Sequence, residues 1–324
     1  MAEKKQSVLA VLEILQKYSD QDHLVSIRQI SSLLESEYQI RIERRAIYAN
    51  IEILRDFGYD ISAYERERNG YYLNSRNFDK GEILLLCNAI HASHFISAKQ
   101  SDDLIAKLLA TQSIYQAKEF NDKVYLPNPL KTPNKQLIYT IETVSEAIRD
   151  NLRLAFTYLH YDLDKKLVPR REKEYVVEPR YIVYADSRAY MIVNSEKHPN
   201  FSHYRLDRIK DARILPEHSS ELKDKDDAYE YARNKLFMYA GESSYVSFLC
   251  DNTIIDQMID IFGTSVILMN FDADHFLIRV KTSTQGALYL AQQYLDSLSI
   301  YEPQELRQEF IASLEKRLQD YKKL

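Results

Sequence analysis

The run LRLAFTYLHY (152–161), EYVVEP (174–179), RYIVYA (180–185), RAYMIVN (188–194), FSHYRLD (201–207) and KDARIL (210–215) alternates apolar and polar residues, the two-residue period of half-buried strands. The connections between these segments are short. Strands joined this way form a small antiparallel barrel or a strongly curled sheet. Upstream, Lys135 to Asp150 carries Leu137, Ile138, Ile141, Val144 and Ile148 at helical spacing, which predicts a helix leading into the strands. Before it, NDKVYLPNPLKTPN (121–134) holds three prolines and reads as a linker. Two helices are predicted over 79–94 and 97–111.

Downstream, EHSSELKDKDD (217–227) is an acidic connector, followed by a predicted helix over 228–239. The remainder reads strand (245–250), helix (253–262), strand (265–271), strand (275–281), helix (284–297) and helix (303–321). That order predicts a small α+β module.

The N-terminal segment has a different period. Val8, Leu9, Val11, Leu12 and Leu15 mark a first helix, and Ser26 caps a second over 27–38, with Ile27, Ile30, Leu33 and Leu34 inward. A third runs from about 42 to 57 with Ile47, Ile51, Leu54 and Phe57 as its apolar stripe, ended by Gly58. YDISAYERERNGYYLN (59–74) then alternates around Asn69-Gly70, a hairpin signal. Three short helices and a hairpin have the layout of a winged helix-turn-helix.

Composition bounds the function. The chain has 324 residues, enough for two or three domains, and only six glycines; no glycine-rich phosphate loop is found. Cys87 and Cys250 sit far apart in apolar runs and read as buried thiols, a usage that suits a reducing cytosol. No apolar stretch approaches the ~18 residues of a membrane span, and the N-terminus lacks a signal-peptide core. A cytoplasmic location is expected. The net charge is −5, but unevenly spread: 1–76 is about neutral, 153–213 has a basic excess and 214–324 is strongly acidic. An acidic total therefore conceals a basic middle.

On the third helix the stripe leaves Arg45, Tyr48, Ala49 and Glu52 pointing outward, with Arg44 at the start. An arginine there can take guanine edges bidentately or clamp a phosphate, and Tyr48 suits a phosphate or a thymine methyl. Ser26 and Arg28 on the second helix suit backbone positioning. Arg66 and Arg68 flank the hairpin turn, within reach of a minor groove or phosphates. Glu43 and Glu52 stand beside these arginines, and a helix-turn-helix used for protein contact is the rival reading.

The third helix contains Arg45-Ala46-Ile47-Tyr48-Ala49-Asn50-Ile51, which resembles the RTIYRDI pattern of many bacterial winged helix-turn-helix regulators. Ala49 and Asn50 depart from it, leaving no arginine at 49 for the usual groove contact. The middle segment resembles a WYL domain. The matches are Phe156 and Tyr158 on the first strand, Val177-Glu178-Pro179, and Tyr204-Arg205-Leu206-Asp207-Arg208-Ile209, close to the family's FRLDRI. Ala189-Tyr190-Met191 stands where Trp-Tyr-Leu is typical. The segment 217–324, ending in Glu302-Pro303-Gln304-Glu305-Leu306-Arg307, resembles the extension that follows such domains.

The resemblance implies an α+β multidomain chain. Its parts are a winged helix-turn-helix (1–76), a helical connector and linker (77–134), an Sm- or SH3-like WYL β-barrel with its leading helix (135–216), and a C-terminal α+β module (217–324). It implies a homodimeric transcription factor, more readily a repressor, that binds a double-stranded DNA operator and senses a nucleotide or oligonucleotide effector, with roles such as phage defence or stress response. By this analogy the ligand falls on Tyr190, His203, Arg205 and Arg208, with Tyr158 a weaker member and Arg170, Arg171 and Arg180 broadening the positive face. Strand alternation puts Tyr204 and Leu206 on one face and His203 and Arg205 on the other. The plainer alternative is that Arg205 and Arg208 pair with Asp207, Asp211 or Glu178 to hold the barrel. A nucleic-acid-sensing adaptor, whose N-terminal helices bind protein, is the other functional class. No catalytic constellation, metal set or cofactor is expected: His91 and His94 have no third ligand, and no glycine-flanked serine occurs.

Overall fold

The computed structural model describes residues 2–62, 70–123, 130–185, 187–195, 198–220 and 243–324. The expected turn residues Arg66, Arg68 and Asn69, and the predicted helix over 228–239, lie outside the described residues. The chain forms two compact units, Met1–Lys135 and Gln136–Leu324.

In the first unit, α1 (Ala2–Tyr18), α2 (Ile27–Tyr38) and α3 (Arg44–Asp56) pack around Val11, Ile14, Leu15, Ile30, Leu34, Ile47, Ile51 and Leu54. Ser26 caps α2 in a reciprocal box: its Oγ accepts from the Gln29 amide, and its own amide donates to Gln29 Oε1. Gly58, at φ +101°, follows α3 in the left-handed region that glycine tolerates. Leu9 and Phe57, expected inward, are exposed, Phe57 to 84%. Phe57 lies past the last turn of α3, where Gly58 redirects the chain; Ile14, not Leu9, completes the α1 face.

Single bridges pair Ile61 with Leu73 and Val25 with Tyr71, so the second arm of the predicted hairpin lies between the first arm and the segment before α2. A Cβ on Gly70 would come within 2.8 Å of Leu24 Cβ. Close approach to that segment is a second reason for a glycine there.

Next come α4 (Lys80–Ala92), α5 (Ala98–Leu109) and α6 (Ile114–Lys123), around Ile83, Cys87, Ile105, Leu109 and Phe120. The sequence reading missed α6, which turns in little besides Ala117 and Phe120. His91 is in α4 but His94 lies beyond its end. Asp20 ties these helices to the first three. It accepts from Ser113 Oγ, from the Asp22 and His23 amides at 3.0 and 2.9 Å, and sits 2.8 Å from His23 Nδ1. Arg76 donates to the carbonyls of Gln16, Ser19 and Thr111.

The second unit begins with α7 (Leu137–Arg149), packed on β1 (Leu152–Tyr161), β3 (Tyr175–Ala185) and β6 (Ile209–His218). Its buried face is Leu137, Thr140, Thr143, Val144 and Ala147, rotated from the expected one; Ile138 is exposed. Small side chains let the helix lie close to the sheet. With β2 (Leu167–Pro169), β4 (Arg188–Ser195) and β5 (His198–Arg205) these strands make a six-stranded antiparallel curled sheet, order β2-β1-β3-β4-β5, with β6 on the other side of β1.

Two expected strands over 174–185 are one. β3 passes through Pro179, where its register against β4 shifts between Pro179 and Tyr181. The expected strand over 201–207 ends at Arg205, and Leu206–Arg208 is a 3-10 turn into β6.

The remaining elements are β7 (Ser243–Asp251), α8 (Ile255–Phe262), β8 (Ile267–Asn270), β9 (His275–Ser283), α9 (Thr284–Gln293), β10 (Leu298–Glu302) and α10 (Gln304–Tyr321). They form a sheet of order β10-β7-β9-β8 whose core, including Phe248, Ile278, Met258, Leu290, Leu306 and Phe310, is shared with the helices. β10, an edge strand, was not anticipated. Cys87 and Cys250 are free and buried, and burial pushes the Cys250 thiol up to about 12. Among the described residues no helix is long and apolar enough to cross a membrane.

Candidate nucleic-acid interface and ligand site

α3 exposes one polar face. Arg44, Arg45, Tyr48, Ala49 and Glu52 are all exposed, while Ile47, Asn50, Ile51 and Leu54 point inward. Asn50 donates to Ser7 Oγ at 3.0 Å, which turns the asparagine to the body and away from any groove. Among the described residues, Arg28, Arg44, Arg45 and Tyr48 have no hydrogen-bond or ion-pair partner, whereas Arg41 pairs with Glu35 and Arg55 with Glu52. Arg44 and Arg45 occupy the first turn of α3. Cations at the positive end of a helix dipole cost about 0.3–1 kcal/mol each, so helix stability does not account for them. An anion at that end would satisfy both the bare amides and the guanidinium groups. Ser26 has less to offer, because its hydroxyl is engaged with Gln29.

The predicted ligand residues divide between the two faces of the curled sheet. Tyr190 lies opposite Arg205, and Ile192 opposite His203, so these four share a face. The Tyr190 and His203 rings meet edge to face at 5.8 Å. Tyr158 belongs to the other face. Its ring packs against Phe156, Tyr175 and Tyr204, with centroids 5.0 Å from Tyr204 and 6.0 Å from Tyr175. Its hydroxyl accepts from the Arg205 amide at 3.3 Å. Burial raises the Tyr158 and Tyr204 phenols, keeping them as neutral donors.

Arg205 is already paired: Nε and Nη2 donate to the two oxygens of buried Asp207 at 3.0 and 2.6 Å. Burial opposes its charge, but the Asp207 carboxylate outweighs this and raises its pKa. The barrel-holding alternative therefore describes Arg205. Arg208 differs. Its guanidinium lies 5.3 Å over the Tyr161 ring, and its Nε is buried with no hydrogen-bond partner among the described residues. Arg171 stacks on Tyr175 at 3.5 Å. Tyr161 and Tyr175 were missed as ring platforms, since strand alternation does not show which arginine stacks on which ring. Arg180, expected on the surface, is buried. It pairs with Glu178 at 2.9 Å and donates to Ser220, and Arg153 meets Glu178 from the other side. Burial lowers the Arg180 pKa.

In the first unit, Lys17, His91, Asp102, Ile105, Leu109 and Ile114 are among the residues lining a cavity of about 700 Å³. None of the predicted ligand residues lines it. Among the described residues no group of three or more His, Cys, Asp or Glu side chains is placed to hold a metal ion.

An antiparallel curled sheet led in by a helix, with arginines stacked on tyrosines, is the setting in which residues 139–214 match the family model of the WYL domain. The match runs from within α7 to within β6, and the chain carries that domain. Two solved structures are similar to it. One is proteasome accessory factor B/C (PafBC) of Arthrobacter aurescens, at 17% identity over 98% of this chain and 49% of that one, with a TM-score of 0.28. The other is a crystal structure of a CRISPR Cas-related protein, at 12% identity over 98% of this chain and 85% of that one, with a TM-score of 0.39. This chain spans about half the length of the first. No curated protein matches it.

Proposed function

We propose that the chain is a DNA-binding transcriptional regulator, more readily a repressor, whose WYL domain senses a nucleotide or nucleic-acid fragment. In this reading the first three helices and the bridged arms are a winged helix-turn-helix, and α3 enters the major groove. The curled sheet is an Sm-like sensor, and the protein acts as a homodimer on paired half-sites, without a catalytic step. The observation that carries the reading is the bare arginine pair in the first turn of α3, set beside the WYL match. Arg45 and Tyr48 contact bases or phosphates, and Arg28 and Arg44 clamp the backbone, with Ser26 fixing the start of α2. The effector lies against Arg208, with Tyr190, His203 and Arg205 beside it and Tyr158 supporting them from the opposite face of the sheet: a guanidinium for the phosphate, an aromatic face for the base.

Fluorescence anisotropy on duplexes from the chain's own upstream region tests this. Arg45→Ala is expected to cost about 1–3 kcal/mol of binding and to relax specificity at one position. The Arg45→Ala/Tyr48→Ala double variant abolishes operator binding while circular dichroism stays unchanged. Unaltered affinity in the double variant overturns the reading helix. Retained binding of short single strands by a chain without duplex specificity favours an adaptor instead. For the effector, Arg208→Ala is the variant to titrate with short oligonucleotides and nucleotides, and binding equal to the parent chain's removes Arg208 from the site.

A further inference from the structure

The cavity in the first unit has no part in the roles assigned above, and its wall carries a pattern. Asp102, Ile105, Ala106, Leu109 and Ala110 line it, at the positions i, i+3, i+4, i+7 and i+8 that make one face of α5 and its C-cap. The stripe opens on a carboxylate and is apolar from there on. Ala106 and Ala110 are exposed along it, where larger side chains would fill the space, and Ile114 and Ala117 of α6 continue the apolar wall. At about 1.5 Å per residue the stripe is about 12 Å long. A volume of about 700 Å³, walled by apolar side chains with a polar group toward each end, has the size and make-up of a small-molecule site.

Both ends present acceptors. Among the described residues, no hydrogen bond or ion pair engages the Asp102 carboxylate. Lys131, whose charge it influences, donates instead to the Ile90 and Ser93 carbonyls and to Ser101 Oγ. Those bonds tie the end of α4 to the start of α5, so His91 lines the cavity at the Asp102 end. At the other end, Gln112 is only 4% exposed. Its Nε2 donates to the Phe78 carbonyl at 3.1 Å and to Thr111 Oγ1, and no bond engages its Oε1 among the described residues. A buried acceptor left over at a cavity wall calls for a donor inside the cavity. Arg76 holds the Gln16 and Thr111 carbonyls together, which sets Lys17 at this same end. The Lys17 ammonium is already engaged by Glu37 at 3.1 Å, and its charge disfavours a second cation beside it. One end therefore suits a cation and the other a neutral donor.

We propose that this cavity is a second ligand site, for a small organic ammonium with an apolar body and a neutral hydrogen-bond donor at its far end. The ammonium meets Asp102, the body lies along Ala106, Leu109 and Ala110, and the donor reaches Gln112 Oε1. The site draws on no residue of the WYL domain and does not rest on the regulator reading. Isothermal titration calorimetry of the full chain with ω-aminooctanol, long enough to span the stripe, tests it. The amino alcohol is expected to bind saturably, one per chain. Octylamine, which lacks the far donor, should bind about two- to tenfold more weakly, and octanoate about tenfold or more weakly. Asp102→Asn should weaken the amino alcohol about tenfold or more, while Asp103→Asn, at the neighbouring exposed carboxylate outside the cavity, leaves it unchanged. Ala106→Trp, at an exposed position, should abolish binding by filling the stripe, with circular dichroism and melting temperature as in the parent chain. Absence of saturable binding overturns the proposal. So do octanoate bound as tightly as the amino alcohol, equal losses in the two aspartate variants, or undiminished binding to the Ala106→Trp chain. Octylamine bound as tightly removes Gln112 from the site. These titrations contain no DNA, so a failed regulator reading would leave the site standing.

Discussion

Asp20 is buried, yet its carboxylate is held below the usual range: burial opposes the charge, and the hydrogen bonds from Ser113, His23 and the Asp22 amide outweigh that cost. The folded chain therefore binds this proton less readily than the unfolded one. The stability it contributes is fully present above the unfolded pKa, about 3.9, and is lost as pH falls through the folded value. Urea unfolding at pH 6 and pH 3 should show Asp20→Asn less stable than the parent at pH 6 and less sensitive to acidification. Equal acid sensitivity would remove Asp20 from the account. Arg180 makes the complementary case. Its partner Glu178 is as deeply buried, and deleting one member of a buried pair strands the other. Arg180→Ala should cost about 3–5 kcal/mol, toward the low end because Arg153 still meets Glu178. Arg180→Met/Glu178→Leu should cost clearly less, and denaturant titration of both variants decides.

At the scale of elements, long periodic segments were legible and short ones were not. Ile47, Ile51 and Leu54 are buried along α3 as the stripe required, and the same arithmetic turned Arg45 and Tyr48 outward. β2, α6 and β10 were missed because three residues, ten mixed residues and an edge strand carry too little period to separate from loop. The alternation of β5 correctly set Tyr204 against His203 and Arg205, but it ran on through Leu206 and Asp207, where the chain instead enters a 3-10 turn over Leu206–Arg208. For that reason the stacking of Arg208 on Tyr161 was out of reach, whereas the pairing of Arg205 with Asp207 was among the alternatives the sequence left open. α7 shows a subtler failure. A stripe chosen by hydrophobicity favours Ile138 and Ile141, whereas packing on a curled sheet selects the small Thr140, Thr143 and Ala147. Ala147→Leu should therefore destabilise by about 1–3 kcal/mol through overpacking, and Ile138→Ala should change stability by less than about 0.5 kcal/mol. The opposite order in thermal melts would restore the hydrophobic stripe.

For the whole molecule, a net charge of −5 sets a polyanion against most of the surface, so any duplex binding must be local. Each copy offers Arg28, Arg44 and Arg45 without acidic partners among the described residues. Binding through phosphates releases counterions, and the logarithm of the affinity falls with the logarithm of salt by roughly 0.9 per phosphate neutralised. Two copies on one duplex double the number of such contacts without changing their kind. The parent chain should therefore lose affinity steeply between low and physiological salt. With Arg28 on a phosphate as proposed, Arg28→Ala should lower the slope by about 1 for each copy bound and weaken all sequences alike. Anisotropy at four or five salt concentrations separates these effects, since specificity lost at constant slope marks a base contact and slope lost at constant specificity marks a phosphate one. A slope unmoved by Arg28→Ala would place that phosphate contact elsewhere on the chain.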